Sequence, residues 1–212
     1  MQINGIRMLA AVMFTDMVGY TAMMQEDERQ AKSLNDRHRK VLEDLTLEHQ
    51  GKIIQFFGDG TLTIFGSAVE AVLCAINIQK KLQKEPKVNL RIGIHSGDIV
   101  YDDNGIFGDC VNVASRIEAS AVGGSVLISR KVYDELINHK EIDAVSLGYH
   151  EFKNVKAPIE VYALKNNDLI IPETTSIDTL VGLKKESIAV LPFINMTSDI
   201  DNEYFSDGIT EE

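Results

Sequence analysis

The chain has 212 residues, 44% hydrophobic and 25% charged, an ordinary soluble composition sufficient for one well-buried domain and a remnant. Its 32 acidic and 21 basic residues leave a formal charge of −11, which repels a phosphate backbone and sets aside nucleic acid as a partner. Cys74 and Cys110 lie outside any metal-ligand spacing and fit a reducing cytoplasm, and neither a membrane-length apolar run nor a signal peptide is present, so no membrane contact is expected of this stretch.

Residues 7–14 (RMLAAVMF) read as a buried strand, and TDMVGYT as a loop into a short helix. An amphipathic helix is predicted from Asp27 to His49, with Val41, Leu42, Leu45 and Leu47 on or near its apolar face and Gly51 as its stop. Two strand-like runs then flank Gly58-Asp59-Gly60, a hairpin signature. Ala68 to Leu82 is a second amphipathic helix, in which Cys74 is expected to pack in the core. Residues 88–95 form a strand, SGD is read as a turn into IVYDD, and Phe107 to Ala119 as a helix. SVLIS is a short strand, RKVYDELI a short helix, and residues 142–164 suggest two or three more strands. This order gives an α+β fold with a ferredoxin-like βαββαβ core, C-terminal elaboration and an antiparallel or mixed sheet. Residues 165–187 break the rhythm as a candidate linker, and IAVLPF at 188–193 reads as a fresh strand of a second, truncated domain over 188–212.

Several residues then stand out chemically. Asp16 follows a buried strand and Asp59 sits at a hairpin tip, so the two carboxylates can converge at one sheet edge and suit Mg²⁺. Alone, Asp59 is also explained by turn chemistry and Asp16 by a helix cap. Asn112 and Arg116 are spaced i, i+4 and share a helix face that suits developing phosphate charge, or is simply solvated. Arg91 lies inside an apolar strand and needs either solvent or a partner, and Lys153 leaves the same choice open. His38, His49, His95, His139 and His150 have no metal-ligand spacing and read as packing or surface residues.

Together, FTDMVGYT, FFGDGTLTIF, RIGIHSGDIV, GIFGDCVNVASRIEA and FKNVKAPIEVYAL resemble the class III adenylyl/guanylyl cyclase catalytic domain, bacterial type, over residues 7–164. The resemblance implies a catalytic domain over 1–164 that converts ATP to 3′,5′-cyclic AMP and pyrophosphate. It implies that Asp16 and Asp59 hold two Mg²⁺ or Mn²⁺ ions, and that Asn112 orients the ribose while Arg116 stabilises the α-phosphate. Arg91 and Lys153 match residues that take the terminal phosphates, and Met17-Val18-Gly19 lies where the family cradles phosphate and metal. The family shares its sites across a dimer, so a homodimer is expected.

At the purine-selecting positions the chain carries Gln55 and Gly105, which match neither the adenine nor the guanine pattern. An amide can face either purine, so some GTP turnover is expected; the resemblance of the surrounding sequence to bacterial adenylyl cyclases implies that ATP is favoured. The tail from residue 187 resembles the opening of a TolB-like region, which implies a regulatory module C-terminal to the cyclase. Competing readings are a guanylyl or dual-specificity cyclase, a catalytically weak or inactive dimerisation or nucleotide-sensing module, and another nucleotidyl-transfer enzyme on the same fold.

Overall fold

The computed structural model describes residues 5–102, 105–166 and 168–173. One eight-stranded sheet organises them, in the order β2-β3-β1-β4-β6-β8-β7, with β5 pairing the far end of β4. The first half is β1 (Ile6–Met17), α1 (Tyr20–Glu26), α2 (Glu28–Glu48), β2 (Lys52–Phe57), β3 (Gly60–Phe65), α3 (Ala68–Leu82) and β4 (Leu90–Asp102). Its strands pair antiparallel as β2-β3-β1-β4, which is the βαββαβ core expected. The elaboration is β5 (Gly105–Phe107), α4 (Asp109–Ala119), β6 (Val126–Ser129), α5 (Arg130–Leu136), β7 (Ala144–His150) and β8 (Ile159–Leu164). Among the described residues only the β4–β6 pairing is parallel, so the sheet is mixed.

Alternation along the strands separates two cores. Met13 and Met17 of β1, Leu90, Ile92 and Ile94 of β4, and Val126 and Ile128 of β6 pack against α2, α3 and α5. The intervening residues, Ala10, Val12, Ile99 and Leu127, face the opposite side, where α4 packs through Cys110, Val113, Ala114 and Ile117. Asp16 and Arg91 are directly paired in the β1–β4 register, and both fall on the α4 side by this alternation.

Several boundaries differ from expectation. β1 runs on through Met17, so Asp16 is the penultimate residue of a strand and not part of a loop. The long helix begins at Glu28, because Asp27 is extended and caps it by accepting from the Gln30 amide. Leu42 and Leu45 are buried as expected, but Leu47 is exposed. The left-handed residue after α2 is Gln50 (φ 54), not Gly51; Gly51 is bare so that the Phe65 ring can lie against its backbone.

No turn interrupts SGD. β4 continues for 13 residues because β1 pairs with it from Leu90 to Tyr101. Gly97 is needed there for packing, since a Cβ would stand 3.2 Å from Cys110 Cβ on α4. The helix expected from Phe107 begins at Asp109, and residues 105–107 form a strand instead.

Part of the stretch read as a linker is held to this domain. Lys165 N donates to Asp143 O, and Ile170 N donates to Gly124 O. The remainder of that stretch, and the second domain and TolB-like segment read at 188–212, lie outside the described residues. Among those residues no helix is long and apolar enough to cross a membrane.

Candidate active site

The first cluster forms where β1 ends, β4 begins and the β2–β3 hairpin turns. Phe57 pairs with Gly60, so Gly58 and Asp59 are the two turn residues, and Gly58 takes φ +62. Arg39 Nη2 of α2 donates to Gly58 O at 3.0 Å and ties down the tip. A Cβ on Gly60 would stand 3.1 Å from Thr15 O and 3.3 Å from Asp16 Oδ1, so the bare backbone lets the hairpin approach Asp16 closely.

The carboxylates sense each other. Burial is the main cause that raises the Asp59 carboxyl above its ordinary pKa, and the Asp16 charge adds to it. Its own amide, the Arg91 charge and the Met17 amide oppose the rise. Within Met17-Val18-Gly19, the Val18 amide is already committed to Asn89 O at 2.8 Å. Gly19 adopts φ 80 and leads into α1.

Arg91 stands between two carboxylates. Its Nη2 donates to Asp16 Oδ2 at 2.7 Å. Its Nε stands 2.6 Å from Glu118 Oε1, an ion pair without hydrogen-bond alignment. Glu118 is buried near the end of α4, and burial pushes its carboxyl up to about 7 against the pull of the Arg91 charge. The close approach of this turn to β4 requires Gly93, where any Cβ would collide with the Glu118 backbone.

Glu118 was not singled out from the sequence, although a signal existed. It falls beside Ile117 on the face of α4 that also carries Ala114, so a charge there needs a partner. Arg91 poses the complementary question inside β4, and the two charges answer each other.

Asn112 and Arg116 lie exposed on α4 and make no side-chain hydrogen bond or ion pair with the described residues. At about 100° per residue, Arg116 is turned roughly 200° around the helix from Glu118. The helix therefore offers Glu118 to its own sheet and the Asn112/Arg116 pair to the other side. Lys153 is exposed in the loop between β7 and β8, just before Asn154 at φ 66. Gln55 is exposed on β2 beside a register shift, and Gly105, at φ 126, has open space where a side chain would be. The structure thus brings Asp16, Asp59 and Arg91 together, and leaves Asn112, Arg116, Lys153 and Gln55 facing solvent.

Two hard carboxylates held together against their mutual repulsion, beside bare glycine backbone, form a donor set that fits Mg²⁺. Among the described residues no group of three or more acidic, His or Cys side chains could hold a metal. Mg²⁺ suits such a sparse set, because it completes its shell with water and substrate phosphates.

The eight-stranded mixed sheet with its packed helices is the fold of solved adenylate/guanylate cyclase domains. The family model described as the adenylate and guanylate cyclase catalytic domain matches residues 8–166, and the chain belongs to that family. It is 41% identical over 216 residues to a Rhizobium meliloti protein described as "Putative adenylate cyclase 3", covering 97% of this chain and 37% of the relative. Among solved structures it resembles an adenylate/guanylate cyclase/hydrolase from Silicibacter pomeroyi, with 33% identity and a TM-score of 0.71 over 76% of this chain and 98% of that one. The adenylyl cyclase CyaB from P. aeruginosa shares the fold at 24% identity and a TM-score of 0.68, over 79% and 100% of the two chains. The chain spans between 16% and 37% of the length of the first curated relatives it matches.

Proposed function

We propose that this chain closes ATP into 3′,5′-cyclic AMP with release of pyrophosphate, as a homodimer whose two sites are each shared between subunits. The observation that carries this reading is the two-sided presentation of α4. Its buried side supplies Glu118 to the Arg91–Asp16 cluster, while its exposed side holds Asn112 and Arg116 unpaired. Side chains turned so far from their own carboxylates are best used by a second copy related by two-fold symmetry.

In the reaction, the ribose 3′-oxygen attacks the α-phosphorus. The bond from that phosphorus to the bridging oxygen of the β-phosphate breaks, and pyrophosphate leaves. Two Mg²⁺ or Mn²⁺ ions held by Asp16 and Asp59 would lower the pKa of the 3′-hydroxyl and neutralise the phosphates. Asn112 from the facing subunit orients the ribose, and Arg116 stabilises charge on the α-phosphate as it reacts. Lys153 reaches the terminal phosphates from its loop. Arg91 reaches them once its bond to Asp16 is released, with Glu118 keeping it in place. Met17 and Gly19 offer backbone at the phosphate end.

Base selection rests on Gln55 and on the open space at Gly105. An amide can pair with either purine, so GTP is turned over as well, and the likeness to a protein described as "Putative adenylate cyclase 3" supports ATP as the faster substrate. Two free, buried thiols support a cytoplasmic setting.

The test is to incubate the purified chain with Mn²⁺ and either ATP or GTP, then separate the products. Cyclic AMP predominating, with equimolar pyrophosphate, is the expected result. Nucleotide binding without turnover would favour a sensing module, and linear dinucleotides would favour another nucleotidyl transferase.

A further inference from the structure

A cavity of about 740 Å³ lies beneath the loop between β7 and β8, bounded also by α4 and the start of α5. Its size is that of a small-molecule site. Asn112, Arg116, Lys153 and both metal-site aspartates are absent from its lining, so it neighbours the proposed catalytic groups without being formed by them.

The cavity has polar groups at fixed positions. His95 lines it and is only 5% exposed. One ring nitrogen of His95, Nδ1, is hydrogen-bonded to Ser129 Oγ at 2.7 Å, and Nε2 has no partner among the described residues. Burial, helped by the Lys131 charge, holds this imidazole down to about 4, so it is neutral at physiological pH. Lys131 lines the same space without an ion pair among the described residues, and its charge is felt at both His95 and Cys110. Arg130 is already engaged by Asp134 at 2.7 Å and Glu160 at 2.9 Å. The walls add apolar surface from Val113, Val155 and Ile159.

We propose that this cavity binds a small amphipathic carboxylate and, by bracing the β7–β8 loop, sets the position of Lys153. The carboxylate pairs with Lys131 and meets the unpartnered His95 nitrogen, while an aromatic or aliphatic body lies against Val113, Val155 and Ile159. Against Asp109 and Glu160, the cations Arg130, Lys131 and Lys156 leave the cavity lining one positive charge in excess, which matches a monoanion. A phosphate dianion would bring a second charge toward the carboxylates of Asp109 and Glu160, which also line the cavity. The binding claim stands on the cavity alone, and only the control of Lys153 rests on the cyclase reading.

The probes are indole-3-acetate and its neutral isostere indole-3-acetamide, titrated calorimetrically into the whole 212-residue chain. Expected are saturable binding of the acetate, at least about tenfold weaker binding of the amide, and a similar loss in Lys131→Ala, from removing a charged hydrogen bond. Ala157→Trp, which fills the space from an exposed loop position, abolishes binding, and Asp16→Asn leaves it intact. No binding of the acetate by about 10 mM, equal affinity for the amide, or indifference to both Lys131→Ala and Ala157→Trp overturns the site. The acetate is also expected to shift the KM for ATP. Binding with an unchanged KM, in a chain that makes cyclic AMP, overturns the control of Lys153 but not the site. A chain without cyclase activity that still binds the acetate overturns the cyclase reading instead.

Discussion

Arg91 illustrates how one side chain can serve two states of a site. With both Asp16 and Glu118 in reach, its charge is balanced before any ligand arrives. A metal at Asp16 would compete with the Arg91 bond, and Glu118 would then keep the guanidinium from swinging into solvent. Glu118→Gln is therefore expected to raise the KM for the metal–ATP complex about tenfold while lowering kcat less, since a charged partner is lost but the shape is kept. Glu118→Asp should restore part of the loss. Equal KM values in wild type and Glu118→Gln would show that Arg91 needs no such anchor. Arg116→Ala tests the half-site proposed to come from the facing subunit. It should lower kcat by about 10²–10³ with little change in nucleotide affinity, as for loss of a donor that acts in the transition state. A change confined to KM would place Arg116 in ground-state binding.

At the scale of elements, glycines decide how closely α4 rides on the sheet. Gly93 leaves room for the Glu118 backbone and Gly97 for Cys110. Gly93→Ala is expected to push the last turn of α4 off β4. The cost is about 1–3 kcal/mol of stability, typical of overpacking, together with loss of the Arg91–Glu118 pair. Urea denaturation checks this, and an unchanged midpoint would mean that α4 can shift freely.

Much of the element order was legible because its signals are local. Ala68–Leu82 shows helical periodicity with Ser67 as its cap, and Gly58-Asp59 marks a hairpin between two apolar runs. The failures were tertiary. SGD reads as a turn, yet pairing with β1 keeps it extended. Phe107 reads as helical, yet β5 pairs with β4. Leu47 fits an apolar face that the sheet does not reach. Within the site, Asp16 and Asp59 could be found from their places at strand end and turn. Glu118 required knowing that α4 lies over β4, which depends on contacts distant in sequence.

For the whole molecule, stability carries a pH signature. His38 and His95 are each held down to about 4, chiefly by burial and secondarily by the charges of Arg39 and Lys131 respectively. In the unfolded chain they protonate near the ordinary value of about 6.5. Between those values the unfolded state binds more protons, so stability falls as the pH drops from about 6.5 toward 4. Glu118, raised to about 7, acts in the opposite sense and loses its contribution as the pH rises above about 4.5. The two histidines outweigh it. His38→Asn should remove one histidine's share, so wild type loses on the order of 2–3 kcal/mol more than the variant between pH 7 and 4.5. Parallel pH profiles for the two proteins would contradict the burial argument.

The most direct test of shared sites is complementation. Asp16→Ala and Asn112→Ala proteins are prepared separately, assayed alone, then mixed under conditions that exchange subunits. Each alone should be nearly inactive. The mixture should recover about one quarter of the wild-type rate, because about half the dimers are mixed and each holds one intact site of two. A mixture no more active than its components, with subunit exchange verified, would show that Asp16 and Asn112 do not act across a dimer.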